Sequence, residues 1–157
     1  MMGTVPDRYA RLAELGLTLP AVTAPAGVYV PALRSGDHVY VSGQLPFADG
    51  ALLATGKVGA EVTPERAKEL AARCALNALA AVDAVVGLAA VVRVAKVTGF
   101  VASAPGFTAQ PGVINGASEL FGEVFGEAGR HARSAVGVSE LPLGTPVEVE
   151  AIFEVGG

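Results

Sequence analysis

Arg133 heads an otherwise apolar run, Arg133-Ser134-Ala135-Val136-Gly137-Val138, and two acids follow at alternate positions of Val147-Glu148-Val149-Glu150-Ala151. A guanidinium is a planar fork of donors that can grip a carboxylate through two bonds, a geometry lysine does not reproduce. A glutamate within hydrogen-bond reach of a water can orient it and accept its proton. The pair would therefore suit holding a small carboxylate with a water beside it, where orientation supplies most of the effect. Plainer accounts fit the pattern as well. Glu148 and Glu150 share one face of a strand that could simply be solvated, and Arg133 with Glu148 could be a structural ion pair across a hairpin.

Other chemistry is sparse. The two histidines, His38 and His131, lie far apart, and Cys74 is the one cysteine. No Cys/His/acid spacing suits zinc, so no metal ligand set is expected. No GxSxG elbow, P-loop or GxGxxG after a strand occurs. Cys74 falls on the apolar stripe of a predicted helix and reads as a core thiol. His38 flanks a turn and reads as a surface residue. His131, two residues before Arg133, is a candidate to assist an anion site, although a lone histidine more often has no such role.

These residues need elements to hold them. Residues 5–17 predict a short helix ended by Gly16. Residues 27–33 and 38–42 predict two strands around the turn Arg34-Ser35-Gly36-Asp37. Thr63-Pro64-Glu65 has the features of a helix start: a capping hydroxyl, a proline in the first turn and an acid beside it. That helix should run to about Val86 and stop at Gly87. Its buried stripe would be Ala67, Leu70, Ala71, Cys74, Ala78, Ala81, Val82 and Val85. Residues 91–101 predict a long strand, 103–112 a loop and 113–125 a second main helix. Strands near 134–138 and 147–155 complete the set, joined by Leu141-Pro142-Leu143-Gly144-Thr145-Pro146. Strands, helix, strand, helix, strands predict an α+β domain with two main helices on one face of a mixed sheet.

The chain of 157 residues is 52% hydrophobic and 17% charged, with a mean hydropathy of +0.50. This composition excludes a charge-extended disordered chain. No uninterrupted apolar run is long enough for a membrane span. The apolar excess and the uncovered sheet face point to association with further copies. With 11 basic residues against 15 acidic ones, a nucleic-acid partner is not expected. The N-terminus carries no signal-peptide pattern, and a lone cysteine suits a reducing compartment, so a cytoplasmic location is expected.

Val28-Tyr29-Val30-Pro31, Val41-Ser42-Gly43-Gln44-Leu45-Pro46, Asn115 ahead of Leu120-Phe121, Ala132-Arg133-Ser134, Leu141-Pro142 and Val147-Glu148-Val149-Glu150-Ala151 occur in this order. Together they resemble the RidA/YjgF family over residues 26–155, with residues 1–25 as an N-terminal helix and lead-in to one domain spanning 1–157. The resemblance implies a chorismate-mutase-like fold and a homotrimer with pockets between subunits. It also implies cofactor-free deamination of reactive enamines and imines, such as 2-aminoacrylate and 2-iminopropanoate. By position, Arg133 matches the family's carboxylate-binding arginine and Glu148 the acid that positions water. Tyr29, Ser42, Gly43 and Asn115 match pocket-wall positions, and the Ala135 main-chain carbonyl could anchor the water.

Three departures mark a divergent subgroup. Ala135 stands where many members carry cysteine, which removes thiol chemistry there. The stretch 102–112 is longer than the usual loop, and the N-terminal helix is additional. A lengthened loop over the cleft would suit a larger substrate, and an amidohydrolase or deaminase acting on a ring-cleavage intermediate is a second enzymatic reading. A carboxylate-binding protein without catalysis would use Arg133 equally well. The ribonuclease label often given to such sequences finds no His/Lys catalytic cluster here.

Overall fold

The protein is described here from a computed structural model covering residues 6–25 and 27–157. Residues 1–5 and Ala26 lie outside the described residues; the first helix, expected over 5–17, is shorter, beginning after its cap Asp7 and ending at Glu14. Helix α1 (Arg8–Glu14) precedes strands β1 (Ala32–Ser35) and β2 (His38–Gln44), then the short strands β3 (Phe47–Ala48) and β4 (Ala51–Leu52). Helix α2 (Pro64–Val86), strand β5 (Val91–Ala102), helix α3 (Gln110–Phe125) and strands β6 (Ala132–Val138) and β7 (Val147–Val155) follow. The main sheet has the order β1-β2-β7-β5-β6; β5 and β6 run parallel and the other neighbours antiparallel. Both main helices pack on one face. The expected mixed sheet and its helical layer are present.

Helix α2 forms as its local sequence dictates. The Thr63 hydroxyl accepts the Arg66 N–H at 3.1 Å, Pro64 occupies the first turn, and Gly87 leaves the helix at φ 80°. Its expected stripe is buried through Val82, but Val85 is 42% exposed. Val86, four residues on from Val82, packs on the core instead. Helix α3 starts at Gln110 rather than Val113, with Pro111 in its first turn where a missing N–H costs nothing. A side chain at Gly116 would collide with the Lys68 carbonyl, so this glycine sets the close approach of α3 to α2. Phe121 meets Phe153 edge-on, with centroids 5.8 Å apart, joining helices to sheet.

Two strand expectations change. The first strand covers residues 32–35, not 27–33. Pro31 has no N–H to give a ladder. Its carbonyl instead accepts the Ser42 N–H at 2.9 Å, and the Ser42 hydroxyl donates to the Val30 carbonyl at 2.7 Å. These bonds draw residues 27–31 over β2 as an irregular segment. The turn also tightens to two residues, with Ser35 paired to His38 and Gly36 at φ 59°. At the other end, β6 and β7 do not form a hairpin. β5 lies between them, Val97 pairing Arg133 on one side and Ala151 on the other.

The N-terminal helix is tied to the core by a buried charge. Arg8, 5% exposed, donates to the Leu88 and Val91 carbonyls at 3.2 and 2.8 Å and lies 5.1 Å over the Phe125 ring. The Tyr9 hydroxyl donates to Asp83 at 2.5 Å and accepts the Leu88 N–H.

Candidate functional site

Strand alternation sorts the predicted site residues into two groups. Along β7, Val147, Val149, Ala151, Phe153 and Val155 are buried under the helices. Glu148, Glu150 and Ile152 therefore point to the face without helices. On β6 the sides are fixed by contact. Arg133 reaches α3, where its Nη1 donates to Asn115 Oδ1 at 2.7 Å and to Ser118 Oγ at 3.2 Å. Ala135, two residues on, packs against the core on that same side. Arg133, Asn115 and Ala135 thus sit on the helical side at the β6 edge. Glu148, with Gly43 beside it, sits on the other side, where Ser42 and Tyr29 border a groove with Glu150. The ion pair Arg133–Glu148 allowed by the sequence does not form, because β5 separates their strands and their side chains leave opposite faces.

The Arg133 half is ordered. Two acceptors on one face of α3, three residues apart, hold one end of the guanidinium, and no described acid pairs with its charge. Beside it lies an open groove of about 330 Å³ lined by Ser118, Gly122, Gly129, Arg130, His131 and Arg133. His131 lines this groove beside Arg133. Burial holds its imidazole below the usual range; the Ala132 carbonyl opposes that shift and the Arg133 charge reinforces it. Its ring meets Phe121 edge-on at 6.2 Å.

The Glu148 half is arranged differently. Between Val41 and Gln44 the register of β2 against β7 slips, a bulge that brings Gly43 under the Glu148 carboxylate. A side chain at position 43 would displace that carboxylate, so glycine here leaves it room. On its other flank Glu148 pairs in register with Phe100. The half-buried carboxyl is pushed above the ordinary carboxylate range, first by burial and then by the neighbouring Glu150. It has no hydrogen-bond or ion-pair partner among the described residues. Ser42, locked to Val30, and Tyr29, 50% exposed, border a groove of about 340 Å³ on this face together with Leu33, Tyr40 and Thr98.

The remaining candidates fall away. Cys74 is fully buried, and burial followed by the Glu148 charge lifts its thiol well above the usual value, so it is unreactive. His38 is exposed beside Tyr40. Among the described residues no group of three or more His, Cys, Asp or Glu side chains could hold a metal, and no helix is long and apolar enough to cross a membrane.

Residues 9–154 match the family described as "YjgF/chorismate_mutase-like, putative endoribonuclease". The chain belongs to the RidA/YjgF family. Protein TCP17 of Trypanosoma cruzi is 48% identical over 148 residues, 93% of this chain and 92% of that protein. A crystal structure from Shewanella oneidensis named as a "putative endoribonuclease" is 32% identical, with a TM-score of 0.93 over 96% of this chain and 100% of that one. Escherichia coli TdcF, solved with bound serine, is 26% identical, with a TM-score of 0.63 over 89% of this chain and 96% of its own.

Within this YjgF-type fold the stretch 102–112 turns back on its own chain. Ala104 N–H donates to the Val58 carbonyl at 3.0 Å, Phe107 packs at Gly59, and Gln110 donates to Ser103 and to the Phe107 carbonyl. The loop thus sits at the far end of β6 from Arg133. Sequence reasoning passed over Ser118, whose spacing of three from Asn115 on a helix was the available signal. It also missed the β3–β4 hairpin, although Asp49-Gly50 is a strong two-residue turn signature; both residues have positive φ, 51° and 82°.

Proposed function

We propose that this protein hydrolyses small carboxylate-bearing imines to the keto acid and ammonia, without a cofactor, at a site completed between two copies of the chain. The observation that carries the reading is the division of labour across the sheet. An arginine pre-set by Asn115 and Ser118 has no acid among the described residues to neutralise it, and a glutamate with a raised proton affinity sits on the opposite face. Within one chain they cannot act on one molecule. An edge strand from one copy laid against the uncovered face of another would bring them together, and that face carries exposed Leu33 and Tyr40. The serine held by TdcF is itself a small carboxylate, which agrees with a carboxylate clamp.

In this reading Arg133 grips the substrate carboxylate and leaves the C=N carbon facing Glu148. A water held by Glu148, with the Ala135 carbonyl as its second anchor, adds its oxygen to that carbon while its proton passes to Glu148. Glu148 hands that proton to the nitrogen, giving a carbinolamine. As its C–N bond breaks and C=O forms, the hydroxyl proton moves by way of Glu148 to the departing nitrogen, and ammonia and a 2-oxo acid leave. A carboxyl whose proton affinity is raised is suited to both transfers. Tyr29, Ser42 and Gly43 would form the wall on the Glu148 side and Asn115 the wall on the Arg133 side.

The direct test supplies 2-iminopropanoate from a pyridoxal-phosphate dehydratase and measures how far the protein suppresses its trapping by semicarbazide. Wild type should suppress trapping; Arg133→Ala and Glu148→Gln each should not. Co-assembling the two inactive variants in equal amounts should restore about a quarter of wild-type activity, the share of sites with both groups intact under random mixing. No recovery would place both groups in the same copy and sink the shared site. Carboxylate binding without any turnover would make the protein a binder only.

A further inference from the structure

A cavity of about 610 Å³ lies away from Arg133, between residues 18–24, the β3–β4 hairpin and the middle of α2. Neither Arg133 nor Glu148 lines it. Its apolar wall includes Leu19, Val22 and Phe47, and its charged groups are Arg73 and Asp49. The rim by Phe47 is built rigidly. Arg73 Nε donates to the Phe47 carbonyl at 2.8 Å, and Asn77 Nδ2 donates to the Leu45 and Phe47 carbonyls at 2.9 and 3.1 Å. Two carbonyl acceptors fix which way the Asn77 amide faces, which leaves its buried Oδ1 without a partner.

The outer nitrogens of Arg73 make no bond to a described residue, and Arg73 and Asp49 form no ion pair although both border the same space. Asp49 is carried into position by its left-handed turn, φ 51°. One cation, one anion and apolar residues bordering the same space complement a molecule that carries a carboxylate, an ammonium and an apolar group. The volume is that of a small-molecule site, and a single cation is too few for a phosphorylated ligand. We propose that this cavity binds a free α-amino acid with an aromatic or large apolar side chain, its carboxylate on Arg73, its ammonium on Asp49 and its side chain against Phe47. This site is independent of the imine chemistry assigned to Arg133.

The test is calorimetric titration of the intact protein with L-phenylalanine, 3-phenylpropanoate, which lacks the ammonium, and phenethylamine, which lacks the carboxylate. Phenylalanine should bind wild type saturably and each truncated probe about tenfold more weakly or worse. Asp49→Asn should remove the preference for phenylalanine over 3-phenylpropanoate, and Arg73→Met should abolish binding of both. Arg73→Met also loses the bond to Phe47, so its fold is checked by circular dichroism. Asp49→Asn keeps the test decisive if that variant misfolds, because asparagine tolerates the same left-handed turn. Arg133→Ala should bind phenylalanine like wild type. The proposal is overturned by no saturable binding to wild type, by an unchanged preference in Asp49→Asn, or by loss of binding in Arg133→Ala.

Discussion

Arg133 and Glu148 are both charges in a strongly apolar chain, yet the fold treats them in opposite ways. Arg133 is given acceptors, Asn115 and Ser118, and points along a helix into an open groove. Glu148 is given none among the described residues; it lies on a glycine, is half-buried, and has a second acid as its neighbour. The first arrangement pre-organises a binding group at little cost in desolvation. The second keeps a carboxyl in reserve, readier to take a proton than a surface acid. A merely structural pair would meet across the sheet. These two face away from each other, and the proposed roles of clamp and base rest on that difference.

The largest expected effect comes from the clamp. Arg133→Lys keeps the charge and loses the fork, so kcat/KM for 2-iminopropanoate should fall by about a hundredfold, roughly 2.7 kcal/mol. Retention of more than half the wild-type value would reduce Arg133 to a general positive charge. Gly43→Val comes next: its side chain displaces the Glu148 carboxylate, so activity should drop by at least about tenfold while carboxylate binding at Arg133 persists. Equal loss of both would show that the bulge supports the whole fold rather than one half of the site.

Glu148→Gln separates the halves by stability. The folded-state proton affinity of Glu148 is raised, so the folded protein holds a proton that the unfolded chain has already released. This acid therefore costs stability as pH rises through the carboxylate range, and the cost vanishes once pH falls below the unfolded value of about 4. Glu148→Gln should melt higher than wild type at neutral pH, and the two curves should converge in acid. A lower melting temperature for the variant at neutral pH would mean that the carboxylate has a stabilising partner in the assembly. The smallest effect is expected for Ser118→Ala, the longer of the two bonds to Arg133. KM should rise about two- to fivefold, equivalent to about 0.5–1 kcal/mol, with kcat nearly unchanged. A larger rise for Ser118→Ala than for Asn115→Ala would reverse their order as supports.

Much of the fold was legible because it rests on local rules. Thr63-Pro64-Glu65 and Gly87 bracket α2, and the alternation of residues 147–155 gives β7 its limits and its two faces. Residues 27–31 were misread because Val28-Tyr29-Val30 has strand composition, while its path is set by long-range bonds from Ser42. The separation of Arg133 from Glu148 was equally hidden. Each strand reveals which residues share its own face, but only the insertion of β5 between β6 and β7 relates one strand's faces to the other's. Ordered family motifs identified the residues; only three-dimensional placement showed that they form two groups.

The position of β7 also constrains how this sheet can assemble in time. It pairs with β2 on one side and β5 on the other, so before residues 147–155 join, the main sheet exists only as a β1–β2 hairpin and a separate β5–β6 pair. Most of its stabilising contacts are thus distant in sequence, and loop closure has to precede them. During synthesis β5 must wait, with one side unpaired, until the strand carrying Glu148 has emerged. A nascent chain stalled before that strand should be open to proteolysis and should recruit chaperones, and release of about nine further residues should end both. The strand that delivers the proposed base is then also the one that commits the chain to its fold.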